Sequence, residues 1–213
     1  MPRDVFACME SALHWRRLGR PELPVETVPL ARFLIGKLIV RRFVEGDAVA
    51  RIVETEAYPP GDAAMHAFRG MTPRTKPLFL APGHAYVYLC YGVSMMLNVA
   101  SEPAGVGAAV LVRAAEPIAG VPLMMERRRT TRVPDLARGP GRLAQALEID
   151  RRFDAIDLCT HEMLFLAADD APAPEISESV RIGITKDADR VLRYFARGSR
   201  FVSGSGKLNA ARI

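Results

Sequence analysis

Eight residues, Arg51-Ile-Val-Glu-Thr-Glu-Ala-Tyr58, hold the densest chemistry in the chain. Read as a strand, they alternate faces. Ile52, Glu54, Glu56 and Tyr58 share one face, and Val53, Thr55 and Ala57 the other. Glu54 and Glu56 then stand two residue rises apart, roughly 6–7 Å. Pro59, Pro60 and Gly61 stop the strand at once. A carboxylate at the end of a buried strand, with a flat ring beside it, suits a pocket that stacks a planar ligand and acts by acid–base chemistry. An edge strand whose glutamates face water fits the same eight residues equally well.

Other residues add to this picture. Arg113 lies inside the apolar run Val106–Ala115, on the face of Ala109 and Leu111. An unpaired buried guanidinium is very costly, so a carboxylate partner is required. Glu54, Glu56 and Glu116 are the candidates, and a purely structural ion pair is the alternative reading. Tyr91 precedes Gly92 between two strand-like runs, Ala85–Tyr91 and Ser94–Ser101. A ring at a hairpin tip can wedge between base pairs or fold back on its own strands. Residues 59–83 read as a long loop holding Asp62, His66, Phe68, Arg69, Arg74 and Lys76, a mixture that suits an anionic polymer. Arg138-Gly-Pro-Gly-Arg142 opens a helix, and glycines between two arginines there suit a phosphate. Arg127, Arg128, Arg129 and Arg132 read as a solvated helix face.

The elements that must position these groups follow from periodicity and breakers. A short helix is predicted over Met9–Leu18. Thr27 serves as N-cap of a helix Val28–Leu34 closed by Gly36. Leu38–Phe43 and Ala48–Tyr58 form an antiparallel pair across the turn Glu45–Asp47. Helices follow at Pro122–Thr130 and after Gly141, with Leu143, Ala146 and Leu147 at helical spacing. Strands are predicted at Met163–Ala167, Val180–Thr185 and Val191–Ala196, the last continuing towards Phe201 and Val202. Residues 204–213 read as a loose tail. No repeat or linker divides the chain.

With 213 residues and 49% hydrophobic content, one domain with a full core is expected. No apolar run reaches membrane-spanning length, and the start Met1-Pro-Arg-Asp4 lacks the apolar segment of a secretory signal. Cys8, Cys90 and Cys159 form no paired motif, so neither a disulfide framework nor a metal site is expected. These features point to a reduced, cytoplasmic, cofactor-free protein. The net charge is +5, and nearly all 29 basic residues are arginine. Arginine suits phosphate; a high-GC coding bias produces the same composition.

Taken in order, Leu34–Arg41, Ile52–Tyr58, Asp62 with His66–Gly70, Thr72–Arg74, Tyr86–Gly92, Asn98, Leu111–Pro117, Gly139–Leu143 with Ala146-Leu147, Arg181–Ile184, and Leu192–Phe195 with Arg197-Gly198 and Phe201–Ser203 resemble the alkyladenine (3-methyladenine) DNA glycosylase family. The resemblance covers roughly residues 30–203. It implies an α+β single domain: a largely antiparallel curved β-sheet with flanking helices and a protruding hairpin, over residues 26–204. Residues 1–25 are then an N-terminal extension and 205–213 a C-terminal tail. The implied activity is release of alkylated or deaminated purines from double-stranded DNA, by a monomer without metal. Glu56 would activate water, with Arg113 and the main chain around Ile184 holding it. Tyr58 would stack on one face of the flipped base, and His66 and Tyr88 on the other. Asn98 would form the pocket floor, and Tyr91 would fill the gap in the duplex. Arg74, Arg138, Arg142 and Arg197 are the expected backbone contacts, and Glu54 is structural. Met65 and Val93 depart from the family's pattern. Two other classes remain open: a non-catalytic nucleic-acid binder of the same fold, and a carbohydrate glycosidase using Glu54 and Glu56.

Overall fold

The computed structural model describes residues 14–209. It is an α+β fold built on one open, nine-stranded antiparallel sheet. The strands are β1 (Trp15–Arg17), β2 (Leu38–Phe43), β3 (Gly46–Tyr58), β4 (Ala85–Cys90), β5 (Ser94–Ala100), β6 (Ala109–Ala119), β7 (Leu164–Asp169), β8 (Ile176–Val180) and β9 (Val191–Ala196). Their main order is β1-β7-β2-β3-β6-β5-β4. The helices are α1 (Thr27–Leu34), α2 (Val121–Arg128), α3 (Pro140–Ala146) and the short α4 (Gly206–Asn209).

The sheet is organised by β3, whose 13 residues are enough to serve two partners along one edge. Its first half pairs with β2, from Phe43↔Gly46 to Leu38↔Arg51. Its second half pairs with β9, Glu54↔Phe195 to Glu56↔Arg193. Along the other edge it pairs with β6 from Val49 to Tyr58. Two irregularities in that last pairing aim the chemistry. Between Ile52 and Glu54 the partner advances by one residue only, so Val53 is extra. Between Glu54 and Thr55 the partner jumps from Ala114 to Val112, so Arg113 is extra. Bulges of this kind re-aim side chains. The expected alternation therefore holds from Glu54 to Tyr58 but not across Val53. Ile52 and Val53 both join the main core.

That core lies under α1 and α3, with Leu30, Leu34, Leu143 and Leu147 packed on Ile39, Val87, Leu97 and Val112. Leu38, Val40, Val49 and Phe165 cover the opposite face with Trp15. Burial of each such side chain stabilises the fold by about 1.5–3 kcal/mol.

Several expectations are corrected. The helix predicted over Met9–Leu18 falls partly outside the described residues; Trp15–Arg17 is a strand, paired with β7. Leu18 and Leu23 are buried in the main core, so packed structure begins well before residue 26. Thr27 is the first residue of α1 rather than its cap, and its N–H and hydroxyl donate to Glu102 at 2.8 and 2.6 Å. The loop 59–83 contains two 3-10 turns, His66–Arg69 and Lys76–Phe79. Residues 181–185 are irregular, because the strand there ends at Val180. The tail is not loose as far as Asn209: α4 packs on β8, and Asn209 Oδ1 accepts from Arg193 at 2.7 Å. Among the described residues no helix is long and apolar enough to cross a membrane.

Candidate active site

The end of β3 opens onto a cavity of about 720 Å³, a size typical of ligand sites. Tyr58, His66, Tyr88, Asn98, Arg113 and Ile184 all line it. The structure thus brings together nearly every pocket residue expected from sequence. Glu56 is the exception: it has no solvent exposure and sits directly behind the wall formed by Tyr58, Arg113 and Ile182.

The bonds to Glu56 show how it is held. Its Oε1 accepts from the Ile182 backbone N–H at 2.7 Å and faces Arg113 Nη1 at 3.2 Å. Its Oε2 accepts from the Tyr58 hydroxyl at 2.9 Å. A carboxylate has about four lone-pair sites, so one site on Oε2 stays uncommitted. Burial works against the Arg113 charge, but Glu56 and then Glu54 outweigh it and hold that pKa above its ordinary value.

Glu54 is committed on both oxygens. Oε1 accepts from Arg113 Nε (2.9 Å), Arg193 Nε (2.7 Å) and the Ser203 hydroxyl (2.9 Å); Oε2 accepts from the Ser203 N–H (2.6 Å). Burial would push its pKa up, yet Arg113 and Arg193 prevail and the pKa is lowered. A carboxylate so engaged is a structural anchor, which removes it as the second member of a sugar-hydrolysing pair. Glu116 lies opposite Arg51 on β3 and makes no ion pair with Arg113.

The aromatic wall is a linked set. Tyr86 and Tyr88 stack at 5.2 Å and 23°, and the His66 ring meets Tyr88 edge-on at 4.5 Å. His66 Nδ1 hydrogen-bonds the Tyr86 hydroxyl at 3.0 Å. Although the His66 ring opens to the cavity, protein crowding lowers its pKa, and Arg74 lowers it further. Burial pushes the Tyr88 and Tyr58 hydroxyls well above the usual phenol range. Asn98 donates Nδ2–H to the Tyr86 carbonyl at 3.2 Å. That bond fixes the amide and leaves its Oδ1 and second N–H for a ligand. Met65 is largely buried but lines the cavity, packed beside Leu78 and Tyr86.

Tyr91 stands at the rim. Val93 N–H closes a turn on the Cys90 carbonyl at 3.0 Å, with positive φ at Tyr91 (49°) and Gly92 (71°). Two central residues with positive φ make the tight hairpin turn that matches strand twist. A tyrosine held in this conformation costs about 1–2 kcal/mol, and the residue is 91% exposed. It is not packed on its own hairpin. Val93, also at the tip, is 83% exposed.

The expected phosphate contacts separate. Arg74 lines the cavity, with its guanidinium over Tyr88. Arg138 donates Nε–H to the Val202 carbonyl, Arg142 pairs with Asp135, and Arg197 pairs with Glu175. None of those three lines the cavity. Arg69, one of the basic residues named in the loop 59–83, also lines it, as does Lys186, which was not named from sequence. Tyr86, Ser203 and Arg193 were also missed as site-building residues. Arg193 offered the same signal as Arg113, a guanidinium within an apolar strand.

This geometry can be set beside known proteins. The methylpurine-DNA glycosylase (MPG) family model matches residues 22–200. The chain belongs to that family. It is accordingly a hydrolase, a DNA glycosylase. A relative from Mesorhizobium japonicum, provisionally named a 3-methyladenine DNA glycosylase, is 60% identical over 90% of this chain and 92% of its own. Relatives with the same provisional name from Paraburkholderia phytofirmans and Rubrobacter xylanophilus are 48% and 46% identical, over 90% and 84% of this chain and 90% and 97% of theirs.

Proposed function

We infer that the protein works as a monomer on duplex DNA, flips an alkylated or deaminated purine into the aromatic cavity and hydrolyses its N-glycosidic bond with water activated by Glu56. The observation that carries this reading is buried Glu56, held by Arg113 and Tyr58 at the wall of an aromatic cavity, next to an exposed tyrosine. A flipped base must be drawn from the stack at a cost of a few kcal/mol, least for damaged or mispaired bases. Stacking on Tyr58, with His66 and Tyr88 opposite, offsets part of that cost, and Tyr91 occupies the gap. As the bond to the base lengthens, the sugar gains positive charge, which the nearby carboxylate stabilises. The water takes the uncommitted site on Glu56 Oε2 and passes its proton there as it attacks C1′. The main chain at Ile184 bounds the same space. Asn98, its amide fixed by Tyr86, selects among purines at the floor.

A protein that only bound DNA would have no use for a buried carboxylate held by arginine and a main-chain N–H, since desolvating that group is costly. The test is base release from duplexes carrying one hypoxanthine, one ethenoadenine or alkylated purines, by wild type and Glu56→Gln. Release by wild type is expected, with a fall of about 10²–10⁴-fold in the variant while lesion binding persists. Turnover by Glu56→Gln at the wild-type rate would sink the assignment.

A further inference from the structure

Arg181 has no solvent exposure at its side chain and does not line the cavity. It stands behind the wall. Its guanidinium carbon lies 4.6 Å from the centroid of the Tyr58 ring. Nη1 donates to the carbonyl of Ala57, the residue before Tyr58, at 3.1 Å. Nη2 contacts the Asp62 carboxylate at 2.8 Å and donates to the Asp187 carbonyl at 3.2 Å. The buried Nε–H has no partner. Asp62, itself fully buried, also receives Arg190 at 2.9 Å and the Ala64 N–H at 2.9 Å. The next residue after Arg181 is Ile182, whose N–H holds Glu56.

Mere filling of this space by an aliphatic residue would avoid a buried charge and an unpaired donor, both unfavourable. A flat guanidinium does what an aliphatic residue cannot: it stacks on a ring while its edge bonds several acceptors in one plane. Its acceptors here are the backbone at the root of Tyr58 and the loops on either side of the cavity. We propose that Arg181, locked by Asp62, is a positioning residue that sets the plane of Tyr58 against which the flipped base stacks. The proposal rests on the reading of Tyr58 as a stacking face. Arg181 acts on the base only through that ring and touches no reacting atom.

The experiment is a double-mutant cycle on a duplex with one ethenoadenine, whose fluorescence reports extrusion, alongside single-turnover base release. The variants are Arg181→Met, Tyr58→Leu and the pair together. Loss of a base–aromatic stack, worth about 1–3 kcal/mol, corresponds to roughly 5–150-fold in capture. Arg181→Met should lose a similar factor. In the Tyr58→Leu background the same change should cost less than about twofold, because coupled residues are not additive. Arg181→Lys, which keeps the charge but not the planar fork, should fail to restore capture. It replaces Arg181→Met in the cycle if the latter does not fold, as judged by circular dichroism. Multiplying effects, or wild-type capture by either Arg181 variant, would overturn the proposal. Wild-type capture that Tyr58→Leu leaves unchanged would instead overturn the stacking role, and with it the basis for Arg181. Absence of extrusion and release by wild type would overturn the base-pocket reading itself.

Discussion

At the scale of single residues, the site is a contrast between two carboxylates two positions apart. Glu54 is held by two arginines and by both the N–H and the hydroxyl of Ser203, whereas Glu56 is held by Arg113, Tyr58 and the Ile182 N–H, three groups of residues that line the cavity. The first is an anchor, so its removal should be felt in stability. Glu54→Gln leaves Arg193 and Arg113 buried with a weakened partner and should cost about 3–5 kcal/mol, read as a lowered denaturation midpoint. The pH dependence has a definite sign. The Glu54 pKa is lowered on folding from an ordinary value of 4.5, so its stabilisation is present above that pH and is lost as pH falls through the lower folded value. The acid limb of unfolding should therefore shrink in Glu54→Gln. Tyr91 makes a different prediction. It is almost wholly exposed in the free protein, and Tyr91→Ala should weaken lesion capture more than it slows release of a base already bound. The reverse pattern, in a comparison of capture with single-turnover rate, would contradict the wedge role. Both carboxylates and Tyr91 were visible in the sequence, but the division of labour between Glu54 and Glu56 was not, because it depends on Arg193 and Ser203 arriving from 139 and 149 residues away.

At the scale of elements, pairing on β3 decides what the site can be. Two bulges, at Val53 and at Arg113, bring a guanidinium from β6 onto the carboxylate face of β3. The sequence shows Arg113 in an apolar run, yet a bulge leaves no mark in local pattern, because the extra residue exists only relative to a partner strand. The register of β3 also depends on the corner after β6. Gly120 has φ of 65°, and a Cβ there would lie 2.5 Å from the Asp47 carbonyl and 2.8 Å from the Ala48 Cα, both backbone atoms that cannot swing away. Gly120→Ala should destabilise the fold by about 1–3 kcal/mol, measured by chemical denaturation. The irregular 181–190 segment is the other lesson. The alternation over Val180–Thr185 predicts a strand, but the segment's groups are spent on Glu56, Ala57, Asp62 and the loop at Ala63, so it forms cavity wall instead.

For the whole molecule, the count of 29 basic residues overstates the free positive surface, because many arginines are paired internally. Arg69, Arg74 and Lys186 gather at the cavity and enter no ion pair among the described residues. Binding to duplex DNA should fall with salt, by about 3.5-fold between 50 and 200 mM for each phosphate contacted. A titration across that range counts the contacts, and a flat affinity would contradict the footprint. Arg74→Ala should lower the slope, whereas Arg197→Ala, which breaks an exposed pair with Glu175, should leave it unchanged. The sequence by itself determined the fold class, the long strand ending in Glu56 and Tyr58, the hairpin tip at Tyr91 and the membership of a family. Those features are local, written in alternation, breakers and ordered motifs. Only the tertiary structure decided which carboxylate is held by the residues of the cavity wall, which arginines are spent on main-chain carbonyls and carboxylates, and what stands behind Tyr58. Each of these depends on desolvation and on partners distant in the chain, and a buried charge takes its role from what surrounds it.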